Sequence, residues 1–229
     1  MKTSTTVPLL RQKSFVRSLL VMLALSITMS GIYAQDFKKF AVGPGIRINI
    51  GAFNPEAVNH FIANELSSYS IVFGSTDLVI YEEVGLFLNF KTRWVDITPV
   101  LDYGISPKIV IGAEDFYFTR VSPGVLANFF IPTGMSGKTA FFIGGGFQYH
   151  ALKLSGSDMN PYTGNDLGLR FQLGYDLQFG NFNLQPVLAF NVIKDLGTTA
   201  SGSFLEMDYT GGQIGVNMSF HKPVSHRRF

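Results

Sequence analysis

The chain has 229 residues and is 46% hydrophobic and 14% aromatic, but only 15% of its residues are charged and none is cysteine. Ordinary soluble domains average about 25% charged residues, and the lack of cysteine excludes disulfides, thiolate metal sites and a cysteine nucleophile. Beyond residue 34 no apolar run reaches the about 20 residues of a membrane-spanning helix, so the composition, with 24 glycines, is typical of a β-rich membrane protein.

The first predicted element is an export signal. Four basic residues precede the apolar stretch SLLVMLALSITMSGIYAQD, which predicts a signal peptide over 1–34 that is cleaved after Ala34. The alternative is an uncleaved anchor helix, but the apolar core is short and is interrupted by serine and threonine. Residues 1–34 hold four of the 18 Lys and Arg and none of the 16 Asp and Glu, so the remaining chain has a net charge of −2. The basicity of the full chain therefore gives no argument for nucleic-acid binding.

Residues 35–229 are predicted to form one domain, which opens with a strand over GIRINI. Three isoleucines alternate there with Arg47 and Asn49, and alternation with a period of two indicates a strand with one apolar and one polar face. The long connection that follows, 51–78, contains NPEAVNHFIANEL. Asn54 suits a helix N-cap and Pro55 the first helical position, so we expect a short amphipathic helix over 55–66.

The same alternation recurs in seven further segments, least cleanly in 116–131 around RVSPG. They are VGLFLNFK (84–91), WVDITPVLDYG (94–104), 116–131, TAFFIGGGFQYHALKL (139–154), LGLRFQLGYDLQF (167–179), FNLQPVLAFNV (182–192) and GGQIGVNMSF (211–220). The total is eight strands, and 104–118 has room for two more short ones, which leaves ten as an alternative. Either number is even, as expected for a single-chain bacterial barrel.

Connection lengths alternate along the chain. Those at 91–94, 132–137 and 180–181 are short, and those at 51–78, 104–115, 155–166 and 194–205 are long. Outer-membrane barrels have short periplasmic turns and longer extracellular loops. The pattern therefore predicts an all-β, antiparallel, up-and-down transmembrane barrel with a short periplasmic tail at 221–229.

Alternation alone does not show which face is wet, because a soluble lipocalin-like barrel alternates too. Here the apolar face is unbroken and carries aromatic residues near strand ends, and the other face is rich in Gly, Asn and Gln, which favours lipid outside and a crowded polar interior. An eight-stranded interior is just wide enough for side chains. We therefore predict a lumenal network in which acids and bases pair across the interior, made of Arg47, Lys91, Asp96, Asp102, Arg170, Gln172 and Asp176.

GLRFQLGYDLQFGNFNLQPVLAF and the closing GQIGVNMSF resemble the small bacterial outer-membrane β-barrels of OmpA, OmpX and PorT type. The resemblance covers the signal peptide and nearly all of 38–221. It implies outer-membrane lipid as the surroundings and recognition of an aromatic at the end of the last strand by the barrel-assembly machinery. Phe220 matches that assembly signal, and the C-terminal Phe229 is the alternative. Family functions range from envelope integrity and adhesion to accessory roles in secretion and assembly complexes.

Chemistry-bearing residues are sparse. A lipid-modifying enzyme would need a His, a Ser and a carboxylate near the rim, and the candidate set is His150 with Ser155, Ser157 and Asp158, whose spacing matches no esterase signature. The four scattered His include no H-x-x-x-H pair, and GGG at 144–146 lacks the Lys-Ser/Thr of a phosphate loop. We therefore expect no catalytic, cofactor or metal site.

The leading function is an integral outer-membrane barrel with a filled polar lumen and a non-catalytic envelope or interaction role, of which an accessory subunit of a secretion or assembly complex is one form. A narrow porin-like channel for small solutes is the first alternative, and a lipid-modifying enzyme is the second.

Overall fold

The structure is a computed structural model that describes residues 40–53, 79–107, 109–111, 114–133, 139–156, 162–198 and 204–223. The predicted signal peptide, the helix expected over 55–66 and Phe229 lie outside these residues. Within them no helix is long and apolar enough to cross a membrane. The regular elements are strands β1 Ala41–Phe53, β2 Val79–Lys91, β3 Val95–Ile105, β4 Ile109–Ile111, β5 Glu114–Thr133, β6 Thr139–Gly156, β7 Tyr162–Phe179, β8 Phe182–Val192, β9 Lys194–Thr198, β10 Phe204–Asp208, β11 Gly211–Phe220 and β12 Lys222–Pro223.

Eight of these strands close into a barrel. The antiparallel order is β1–β2–β3–β5–β6–β7–β8–β11, and β11 pairs with β1 to complete the circle. This confirms the predicted eight-stranded up-and-down barrel. The segment that left room for ten strands contributes β4, which pairs with the first residues of β5 as a short extension.

The two ends of the barrel differ. At one end, named here the terminal end, β1 begins, β11 ends and the short turns at 92–94 and 180–181 connect their strands. At the opposite, loop end, β5, β6 and β7 continue past their neighbours, with 20, 18 and 18 residues against the 10 to 13 of the other barrel strands. Since about 9–11 residues cross a bilayer, these strands rise beyond the membrane.

The extensions at the loop end form a strand wall, defined as 114–118 of β5, 149–156 of β6, 162–168 of β7, and the β9–β10 hairpin. β9 pairs with β10 and also touches β7 through Thr163 and Thr198. The connections predicted at 104–115, 155–166 and 194–205 are therefore partly strand. Beyond the membrane the outer faces of these strands carry polar residues such as Lys153 and Thr163, which resemble loop composition, whereas their inner faces are buried, as at Phe118, Leu154 and Tyr162.

Side chains alternate between the barrel exterior and its interior, as β2 shows over its whole length. The exterior is an apolar belt whose exposed side chains include Leu86, Leu101, Phe129, Ile131, Ile143, Phe147, Phe171, Leu188 and Ile214. The interior instead collects buried Arg, Asp, Asn and Gln. An apolar outside around a polar inside suits hydrocarbon rather than water as the solvent.

Candidate functional site: the filled lumen

The lumen is the candidate site because the barrel gathers its buried polar side chains there. All seven residues of the predicted network have their side chains buried in this interior: Arg47, Lys91, Asp96, Asp102, Arg170, Gln172 and Asp176. They fall into two groups at different depths. The loop-side cluster consists of Arg47, Glu83, Asp102, Arg120 and Arg170, and the terminal-side cluster consists of Lys91, Asp96 and Asp176.

Glu83 of β2 is the centre of the loop-side cluster. Its Oε2 accepts a hydrogen bond from Arg120 Nη2. Its Oε1 lies 3.7 Å from both Arg47 Nη2 and Arg170 Nη1, and it accepts a hydrogen bond of 2.8 Å from Asn49 Nδ2. Three arginines from three different strands therefore share one carboxylate in a space closed to bulk water.

Asp102 of β3 is the second acceptor of this cluster. Arg47 Nη2 and Gln148 Nε2 both donate to its Oδ2, the latter over 2.6 Å. Arg170 Nη1 is held from the other side, because it donates to Gln213 Oε1. Each arginine thus has a fixed partner, which a buried guanidinium requires.

Asp176 of β7 organises the terminal-side cluster. Lys91 Nζ lies 2.6 Å from each of its carboxylate oxygens. Asn183 Nδ2 and Gln185 Nε2 donate to Oδ1 over 2.8 Å, and Gln178 Nε2 donates to Oδ2 over 3.0 Å. Because β2 and β7 lie on different sides of the barrel, this ion pair spans the interior.

Amides connect the two clusters. Asp96 accepts hydrogen bonds from Asn89 Nδ2 at 3.0 Å and Asn128 Nδ2 at 2.8 Å. Gln172 Nε2 donates to Asn128 Oδ1 over 2.7 Å, and its own Oε1 accepts from Arg170 Nε at 3.2 Å. A chain of hydrogen bonds therefore runs from the arginines to the terminal-side carboxylates.

Apolar side chains fill the remaining space. Phe87, Val100 and Leu126 lie between the two clusters, and Lys91 Nζ is 4.5 Å from the ring centroid of Phe130. On the loop side the lumen is closed by four buried rings whose neighbouring centroids are 5.1 to 6.1 Å apart, namely Phe53, Tyr81, Phe118 and Tyr209. Arg120 stacks beneath them, with Cζ 4.7 Å from the Tyr81 ring.

Glycines make this filling possible, because large inward side chains lie over a glycine on the paired strand. Phe87 is paired with Gly45, and a Cβ at Gly45 would overlap the Phe87 ring. Tyr81 covers Gly51 in the same way. In the narrow interior, large side chains on one strand are thus packed against glycines on the neighbouring strand.

A side chain at Gly45 is expected to destabilise the barrel. We expect Gly45→Val to lower the free energy of unfolding by about 1–3 kcal/mol, since overpacking forces Phe87 out of its place. Urea unfolding in detergent micelles measures the change. Gly212→Val is the matched control, because a Cβ there meets nothing within 4 Å. Equal effects of the two changes would contradict this account of the packing.

Several lumenal residues were not predicted. Glu83 precedes the segment from which the second strand was inferred, and Arg120 lies in the strand whose pattern is least regular, around RVSPG. Extending the period-two pattern one residue backwards would have found Glu83, whereas Arg120 lies within the inferred segment 116–131 and needed only its face assigned. Gln148 and His150 alternate with Phe147 and Tyr149 in TAFFIGGGFQYHALKL, which places them on its polar face, but they are not among the predicted network residues.

Of the candidate set for the enzyme alternative, Ser157 and Asp158 lie outside the residues that the structure describes. His150 faces the interior, and its Nδ1 is 2.8 Å from Ser122 Oγ, with both side chains buried. A lipid substrate on the exterior does not reach this pair. Among the residues that the structure describes, no group of three or more His, Cys, Asp or Glu could hold a metal ion.

Comparison with solved structures finds the same fold in small outer-membrane barrels. Neisserial surface protein A matches with a TM-score of 0.50 at 11% identity, covering 79% of this chain and 96% of that one. OprG from Pseudomonas aeruginosa matches with a TM-score of 0.51 at 11% identity, covering 84% of this chain and 100% of that one. No protein-family model and no curated protein matches the sequence. The chain thus has the fold of an integral outer-membrane β-barrel.

Proposed function

We propose that this outer-membrane barrel is a sealed, non-catalytic interaction protein that serves as an accessory subunit of an outer-membrane secretion or assembly complex. The observation that carries the proposal is the filled lumen. Charged pairs, amides, apolar side chains and four aromatic rings occupy it in successive layers. A protein with no open interior acts through its surfaces.

The strand wall is the surface best suited to an interaction. It extends β5, β6 and β7 past the belt and is bonded strand to strand, so it projects from the membrane as a preformed sheet rather than as separate loops. Tyr117 and Lys153 are exposed on it. A partner that docks on a preformed surface avoids the entropy of ordering a loop.

A sealed lumen predicts no channel activity. We expect the purified barrel to give no stepwise ionic currents in planar bilayers, because an ion would have to displace buried, hydrogen-bonded side chains. Wild type is compared with the charge reversal Arg170→Glu. Currents whose size or ion selectivity changes with that reversal would contradict the proposal and favour a narrow channel.

The same tagged preparation tests the interaction. After gentle detergent extraction, size-exclusion chromatography and mass spectrometry identify the chains that co-elute with the barrel in a fixed ratio. Tyr117→Ser in the wall should weaken their retention, whereas Tyr175→Ser on the exposed belt of the same barrel should not. A barrel that elutes alone from every mild extraction would count against an accessory-subunit role.

A further inference from the structure

The charges of this protein are sorted by location. The two lumenal clusters contain four bases and four acids and are neutral together. The segments that join or flank strands at the terminal end, 35–40, 92–94, 134–138 and 221–229, contain seven Lys or Arg and one acid. Those at the loop end, 54–82, 106–117, 153–166 and 194–210, contain three Lys and eleven acids. The net charge of −2 over residues 35–229 therefore combines basic segments that adjoin the terminal end with acidic segments that adjoin the loop end.

The terminal end has a defined structural element at the edge of the apolar belt, the turn 92–94. Thr92 fixes the turn, since its Oγ1 accepts a hydrogen bond of 3.1 Å from Val95 N. Trp94 is anchored because its carbonyl oxygen accepts a hydrogen bond of 2.8 Å from Phe130 N, and the residue is 55% exposed. Arg93 lies over that ring, with Cζ 5.0 Å from the centroid.

Further basic residues flank the strands of this end in the sequence. β12 pairs with the first residues of β1, which places Lys222 on the terminal end, and the next bases along the chain are Arg227 and Arg228. Lys38 and Lys39 directly precede β1. The first and last described residues of the chain, 40 and 223, therefore both lie at the end of the barrel that bears Arg93.

We propose that the terminal end binds anionic phospholipid headgroups of the leaflet it faces, with Arg93 beside Trp94 as the central contact. Tryptophan favours the headgroup level of a bilayer, so the stacked guanidinium lies where lipid phosphates lie. Each basic residue near a bilayer surface raises the association constant for anionic lipid about fivefold. The inference needs only that the barrel lies in a bilayer and is independent of the accessory-subunit proposal.

Trp94 is also the reporter, because it is the single tryptophan of the chain. The full barrel is reconstituted in phosphatidylcholine vesicles that contain brominated phosphatidylglycerol or, at equal mole fraction, brominated phosphatidylcholine. Bromine quenches tryptophan emission only on close contact. From the quenching of Trp94 we expect an association constant about fivefold higher for the anionic lipid than for the zwitterionic lipid. High salt should reduce that preference.

Substitutions distinguish a specific headgroup-binding site from the ordinary closeness of Trp94 to the surrounding lipid. Arg93→Gln should remove most of the preference. Lys153→Gln, an exposed lysine at the loop end, should leave it unchanged. A heat-dependent gel shift verifies that each variant is folded. Equal quenching by the two lipids in wild type would overturn the proposal. An acidic protein partner would then be the alternative ligand of the terminal end.

Discussion

Replacing Glu83 with glutamine is expected to lower the free energy of unfolding of the barrel by about 3–5 kcal/mol, because it leaves buried charge uncompensated. Glu83 is the carboxylate that Arg47, Arg120 and Arg170 share, and its side chain is 1% exposed. After the change the loop-side cluster holds three guanidinium groups and only Asp102 as a counter-charge. No bulk water reaches the cluster to screen the repulsion.

Urea titration in detergent micelles, monitored by the heat-dependent gel shift, measures this loss in the free energy of unfolding. Glu82→Gln is the matched control, because Glu82 is the neighbouring residue of the same strand and is exposed. If Glu83→Gln fails to fold, adding Arg120→Gln should recover folding, since it removes one of the unbalanced charges. Equal, small effects at positions 82 and 83 would show that the arginines do not depend on Glu83.

The inward position of the lumenal residues was predictable, but their partners were not. The period of two in GIRINI places Arg47 on the inner face of its strand, independently of the other strands. Its partner Asp102 is 55 residues away, on a strand that is not its neighbour. The meeting of those two side chains depends on strand tilt and register, which one strand's pattern does not contain.

The missed residues have a physical cause as well. Glu83 and Arg120 lie toward the loop end, where the strands leave the membrane. A strand in water need not keep an apolar outer face, so the alternation that reveals a membrane strand fades there. The exposed Glu82 next to the buried Glu83 shows this, because both faces carry the same residue type.

The two clusters are also unbalanced in opposite senses. The loop-side cluster has three arginines and two acids, and the terminal-side cluster has one lysine and two acids. Gln172 lies between them and relays hydrogen bonds from Arg170 to Asn128. The lumen is therefore neutral only as a whole, and its layers depend on one another.

This dependence leads to a prediction for the terminal-side pair. Asp176→Leu alone is expected to lower the free energy of unfolding by about 3–5 kcal/mol, because Lys91 stays charged in the interior beside an apolar side chain. Lys91→Met on the same background should recover most of that loss, since an apolar pair of similar volume replaces the ion pair. The amides of Asn183 and Gln185 lose their acceptor in both variants, so recovery stays incomplete.

A double-mutant cycle on the urea-derived free energies separates these contributions. A large coupling energy between positions 91 and 176 means that each of the two buried charges is stabilised mainly by the other. Additive losses would mean that water reaches the terminal-side cluster and screens Lys91, and the lumen would then be open at that end. The same result would revive the narrow channel, because ions enter where water does. The coupling energy therefore tests the sealed lumen without measuring any current.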